Sequence, residues 1–95
     1  MSEQTGDRNG SLPAGKAIGI AREVIAELLS KTPESVSGAN RSEDGWAISV
    51  DVVELSRIPP STDLLATYEV TLDNSGELVD LARTRRYMRN QADQE

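Results

Sequence analysis

The sequence contains no cysteine, no histidine and no phenylalanine. Without cysteine there is no disulfide, no thiolate metal site and no cysteine nucleophile. Without histidine the commonest general base and the commonest zinc ligand are missing too. Trp46, Tyr68 and Tyr87 are the only aromatic residues, so any core must be built from Val, Ile, Leu and Ala. No apolar run approaches the roughly 20 residues needed to span a bilayer. The polar stretch Met1 to Gly10 lacks the apolar segment of a secretory signal. A cytoplasmic protein without membrane contact is the expectation.

What is present is acidic, with one exception. The whole chain of 95 residues carries −6. Residues 81–90 hold Arg83, Arg85, Arg86 and Arg89 and no acid, so the rest carries −10 against the whole chain's −6. Eight of the ten basic residues are arginine, which favours planar, bidentate pairing over diffuse charge.

Hydrophobic periodicity divides the chain. Residues 1–11 and 90–95 show none and read as disordered tails flanking a single α+β domain over 12–89. Pro13 suits the first turn of a helix. Ala17, Ile20, Ala21, Val24, Ile25, Leu28 and Leu29 then form one stripe at three- and four-residue steps. Gly15 and Gly19 predict first turns that are weak or closely packed, and Thr32-Pro33 predicts the helix end.

Beyond Pro33 the period becomes two. Trp46, Ile48, Val50 and Val52 alternate with Ala47, Ser49 and Asp51, and the Val52-Val53 pair suggests a bulge. Asp44-Gly45 marks a turn, with a short strand over 35–41 before it. Pro59-Pro60 excludes a central strand and predicts a loop. Leu64, Ala66, Tyr68, Val70 and Leu72 alternate again, Asp73-Asn74-Ser75-Gly76 predicts a hairpin with Gly76 at positive φ, and a last strand follows from Glu77 to about Arg89. The expected architecture is one N-terminal amphipathic helix packed on a three- to four-stranded antiparallel meander.

Little here points to chemistry. The acids Asp51, Glu54, Asp63, Glu69, Asp73, Glu77 and Asp80 fit solvated strand faces and turns better than a cation site. No nucleophile elbow, phosphate loop or dinucleotide fingerprint is present. Neither catalysis, metal nor cofactor is expected. The block Arg83-Thr84-Arg85-Arg86-Tyr87-Met88-Arg89 stands out. Its arginines can pair across strands with Glu69, Asp51 or Glu54, anchor an acidic partner, or grip nucleic acid, against which the overall acidity counts.

The second half of the chain is similar to the gas vesicle protein O family. The resemblance is carried by Gly45-Trp46, the run Val50-Asp51-Val52-Val53-Glu54-Leu55-Ser56-Arg57-Ile58-Pro59, and the run from Thr62 to Val70. It continues through Gly76-Glu77-Leu78 and the block Arg83 to Arg89, and covers about 14–89. It implies a bacterial or archaeal cytoplasmic protein, associated with gas vesicles, that assists their formation through contacts with other gas vesicle proteins, accessory or shell. A role in expression of the vesicle genes is the alternative. The family has no accepted active site. The expected partner surface is Arg83, Arg85, Arg86, Tyr87 and Arg89 with Trp46 and Ile58, and the exposed sheet face or edge offers a route to oligomers.

Overall fold

The computed structural model describes residues 12–92, with side chains to Asn90. The tail expected over 1–11 lies outside the described residues. The first element is a helix, α1 (Ala14–Leu29), with Pro13 at the N-cap position rather than inside the first turn. Ala17, Ala21 and Ile25 are fully buried at four-residue spacing, and the two alanines leave room for the sheet to approach. Ile18, Ile20, Val24 and Leu29 flank them. Leu28 belongs to the stripe by angle, yet it is 60% exposed. Periodicity gives the direction of a side chain and not the extent of the surface beneath it. At Gly15 and Gly19 no atom stands within 4 Å of where a Cβ would be, so close packing is not what retains them.

The helix also ends earlier than Thr32-Pro33 predicts. Ser30 adopts the left-handed conformation (φ 55°, ψ 37°) and stops it after Leu29, a common C-terminal geometry. Pro33 instead opens the first strand. The strands are β1 (Pro33–Ser42), β2 (Gly45–Leu55), β3 (Leu64–Asp73) and β4 (Leu78–Met88). They form one antiparallel sheet in the order β1-β2-β3-β4. The fold is therefore α+β, a helix and a four-stranded meander.

Alternation sets the two faces. Trp46, Ile48, Val50, Val52, Ala66, Val70 and Leu72 are buried against α1 and form the core. Ser49, Asp51, Thr67, Glu69 and Thr71 come from the same strands in register with one another and face the opposite side, which α1 does not cover. The irregularity expected at Val52-Val53 falls at Glu54, where the pairing of β2 with β3 shifts between Val53 and Leu55.

Two glycines are dictated by backbone geometry. Gly45 has φ 148°, and a Cβ there would lie 1.9 Å from the Leu72 carbonyl oxygen. Gly76 closes the β3–β4 hairpin at φ 92°, with Asp73 Oδ1 accepting from the Ser75 and Glu77 amides at 2.9 Å each. These amide donors, that of Glu77 foremost, hold the Asp73 carboxyl below its ordinary range. Between β2 and β3 the Ile58–Pro59 peptide is cis and Pro60–Thr62 forms a single 3₁₀ turn. Residues 90–92, expected in a tail, complete a helical turn with Arg89. Among the described residues no helix is long and apolar enough to cross a membrane.

Candidate interaction surface on the fourth strand

The arginine block lies on β4, at the sheet edge. Two register shifts against β3 leave Val79 and Thr84 as extra residues, and each bulge resets the alternation. Arg83 lies opposite Tyr68 and Arg86 opposite Ala66, on the side of α1. Arg85 lies opposite Thr67 and Tyr87 opposite Leu65, on the uncovered side. The strip that reads as one patch is thus divided between both faces.

On the α1 side the arginines converge on one acid. Glu54 Oε1 lies 3.2 Å from Arg86 Nε and 3.5 Å from Arg83 Nη1. The Tyr68 hydroxyl donates to Glu54 Oε2 at 2.8 Å. Burial, then the neighbouring carboxylate, push the Tyr68 hydroxyl above its ordinary pKa. Two guanidinium groups share one carboxylate here, so the cluster keeps a positive excess. Both arginine side chains remain about half exposed, at 46% and 52%.

On the other face Arg85 stacks over the Tyr87 ring, 4.2 Å from its centroid, a favourable cation–π distance. Among the described residues Arg85 has no carboxylate within ion-pair reach. Asp51, an expected partner, instead accepts hydroxyl donors: Thr67 at 2.6 Å, Ser35 at 3.2 Å and Ser37 at 3.4 Å. Burial, and after it the Asp51 charge, raise the pKa of the Tyr87 hydroxyl. Glu69, the third expected partner, forms no ion pair among the described residues.

Arg89 does something different. Its Nη1 and Nη2 donate to the two Glu34 oxygens at 2.7 and 2.9 Å, and Nη2 also reaches Asp63 Oδ2 at 3.1 Å. Asp63 Oδ1 accepts from the Arg57 amide at 2.8 Å, and its carbonyl accepts from the Arg89 amide at 2.9 Å. The Arg57 amide first, and Arg89 second, hold the Asp63 carboxyl below its ordinary range, while Arg89 does the same for Glu34. The guanidinium pKa is raised correspondingly. This residue clamps the end of β4 to the start of β1, and its charge is already neutralised. The partners Glu34 and Asp63 were not legible in the sequence, since 55 and 26 residues separate them from Arg89 and nothing local marks the pairs.

The other two expected surface residues lie elsewhere. Trp46 is 8% exposed, and its Nε1 donates to the Leu12 carbonyl at 2.7 Å, with the Arg41 guanidinium 5.6 Å from the ring centroid. It belongs to the core. Ile58 is 97% exposed in the loop after β2. A cleft of about 440 Å³ beside the clamp is lined by Ser30, Lys31, Thr32, Glu34, Val53 and Ser56. Among the described residues no group of three or more acids is placed to hold a metal ion.

Comparison with known proteins adds what geometry alone does not give. A family model described as "Gas vesicle synthesis protein GvpO" matches residues 1–93. The chain is 51% identical over 69 residues to gas vesicle protein O of Streptomyces sp. (strain CB03234), covering 73% of this chain and 54% of that protein. It is 33% identical over 75 residues to gas vesicle protein O1 of Halobacterium salinarum, covering 79% of this chain and 63% of that one. To gas vesicle protein O of Haloferax mediterranei it is 33% identical over 76 residues, with 79% and 54% covered. The chain thus spans between about half and two thirds of the length of these relatives. No solved structure matches it.

Proposed function

The chain belongs to the gas vesicle synthesis protein GvpO family, and on that premise we propose that it is an accessory protein assisting gas vesicle formation through contacts with other gas vesicle proteins, accessory or shell. Involvement with gas vesicles follows from the family, which is not a known enzyme family. The proposed role acts in the cytoplasm, at forming vesicles, and needs no catalysis or cofactor.

The observation that carries the reading is the charge of β4. In a chain of net charge −6, Arg83, Arg85 and Arg86 stand on one edge strand, and among the described residues only Glu54 forms ion pairs with them. Arginine and tyrosine together are typical anchors of protein interfaces, and an acidic body with one basic strip favours oriented encounter. Arg83, Arg85, Arg86 and Tyr87 are the proposed contact residues, with Ile58 as an apolar contact at the loop. Trp46 and Arg89 support the fold that presents them.

The test is a double charge reversal, Arg85→Glu with Arg86→Glu, in the full chain. Binding to co-expressed gas vesicle proteins should fall while the thermal unfolding transition persists. In the host, vesicles counted by electron microscopy should be lost with normal shell-gene transcripts. Normal binding by the double variant sinks the surface assignment, and loss of transcripts favours the regulatory reading.

A further inference from the structure

The two edges of the sheet are unlike. At the β1 edge, pairing is interrupted by register shifts that leave Glu34 and Ser37 as extra residues, with Pro33 at the start and Gly38 within. Both edge strands carry two bulges, and β1 differs in its proline and glycine, which blunt an edge further. The β4 edge is an 11-residue strand with no strand partner on its outer side among the described residues. Its bulges at Val79 and Thr84 leave two regular stretches, 80–83 and 85–88. In such a strand about every second residue turns its N–H and C=O away from the sheet. Up to Tyr87, those groups have no strand partner among the described residues.

The side chains beside that edge define what it would accept. A strand laid along β4 sends its side chains alternately to the two faces, where directly opposed neighbours come within about 5 Å. On the α1 side it meets Arg83 and Arg86; on the uncovered side it meets Arg85, held over Tyr87. Arg83 and Arg86 on one face and Arg85 on the other, with no acid on β4 between residues 83 and 88, match carboxylates along that half of the strand, whereas Asp80 disfavours them at its start. A second copy pairing β4 with β4 about the 83–86 stretch is disfavoured, because an antiparallel match centred there would set arginine against arginine, and like charges directly opposed are destabilising.

We propose that the β4 edge binds an extended acidic segment of a partner protein, which joins the sheet as a fifth strand. This deepens, and rests on, the reading of β4 as the contact surface. Backbone hydrogen bonds hold the segment, and the three arginines select it by charge.

The test uses the isotope-labelled full chain and synthetic peptides of two Glu-Glu-Val-Val repeats, which put carboxylates on both faces of a strand, followed by nuclear magnetic resonance and amide exchange. The acidic peptide should shift the resonances of residues 80–88 and slow exchange of the outward amides of β4, leaving β1 unchanged. Two Lys-Lys-Val-Val repeats should not bind. The acidic peptide N-methylated at every residue keeps its charge but can donate no backbone hydrogen bond from either edge, and it should lose binding. Arg85→Glu should weaken the acidic peptide about tenfold or more, the loss expected for one charge-assisted contact.

Equal binding of the N-methylated peptide would overturn the proposal, since charge alone would then suffice. Shifts confined to β1, or tighter binding of short oligothymidylate to the same residues, would overturn it as well. The two readings fail separately. If Arg85 and Arg86 are needed to capture gas vesicle proteins but no peptide adds as a strand, strand addition falls and the contact surface stands. If gas vesicle proteins are captured equally without those arginines, the contact surface falls and strand addition falls with it.

Discussion

On the side of the sheet that meets α1, Ile48, Val50, Val52, Ala66 and Val70 are fully buried in an aliphatic layer. On the other side, Ser49, Asp51, Thr67, Glu69 and Thr71 from the same two central strands make a polar surface. Leu65, 5% exposed and in register between Val53 and Tyr87, is the exception. The two faces share a backbone and differ in what stabilises them. The first removes apolar area from water. The second satisfies its groups by hydrogen bonds, with Asp51 gathering three hydroxyl groups from β1 and β3.

The comparison can be broken most sharply at neighbouring residues. Ile48→Ala should cost about 2–5 kcal/mol, because a fully buried side chain leaves a cavity. Ser49→Ala, one residue along, should change stability by no more than about 0.5 kcal/mol. Denaturant unfolding of both variants checks this, and equal losses would mean that the uncovered face is buried in solution. Asp51→Ala comes next, at about 1–3 kcal/mol, since the largely buried Thr67 hydroxyl would lose its acceptor. A loss below that range would show that water replaces the carboxylate.

Smaller effects sharpen the picture. Gly19→Ala should stabilise by about 1 kcal/mol, since open space surrounds the new methyl group and glycine is a poor helix former. A destabilised variant would imply that this surface of α1 is covered by something else. The clamp gives a pH signature. Glu34 and Asp63 have folded pKa values below their unfolded ones, so the native state binds fewer protons. Their contribution is present above about pH 4.3 and is lost as the pH falls through the folded values. Arg89→Met should make the acid limb of the stability curve shallower without flattening it, because the Arg57 amide still holds Asp63. An unchanged limb, measured by unfolding at a series of acid pH values, would remove the clamp as a contributor.

Much of this is legible in the sequence alone. The period of 3.6 before Pro33 and the period of 2 from Trp46 to Val52 and from Leu64 to Leu72 identify α1, β2, β3 and their apolar faces. Gly76 identifies its hairpin. The β4 block was legible as a composition but not as a surface, because the single extra residue at Thr84 puts Arg83 with Arg86 and leaves Arg85 with Tyr87. Trp46 could have served equally as an exposed anchor or as core; its contact with Leu12 decides for the core.

By itself the sequence determined the element types, the helix-facing residues of the central strands, the missing cysteine and histidine chemistry and the concentration of arginine, since these follow from local periodicity and composition. Only the tertiary structure decided which arginines are neutralised and which remain available. Ion pairing depends on distances between residues far apart in the chain, and a one-residue bulge moves a side chain from one face of a sheet to the other.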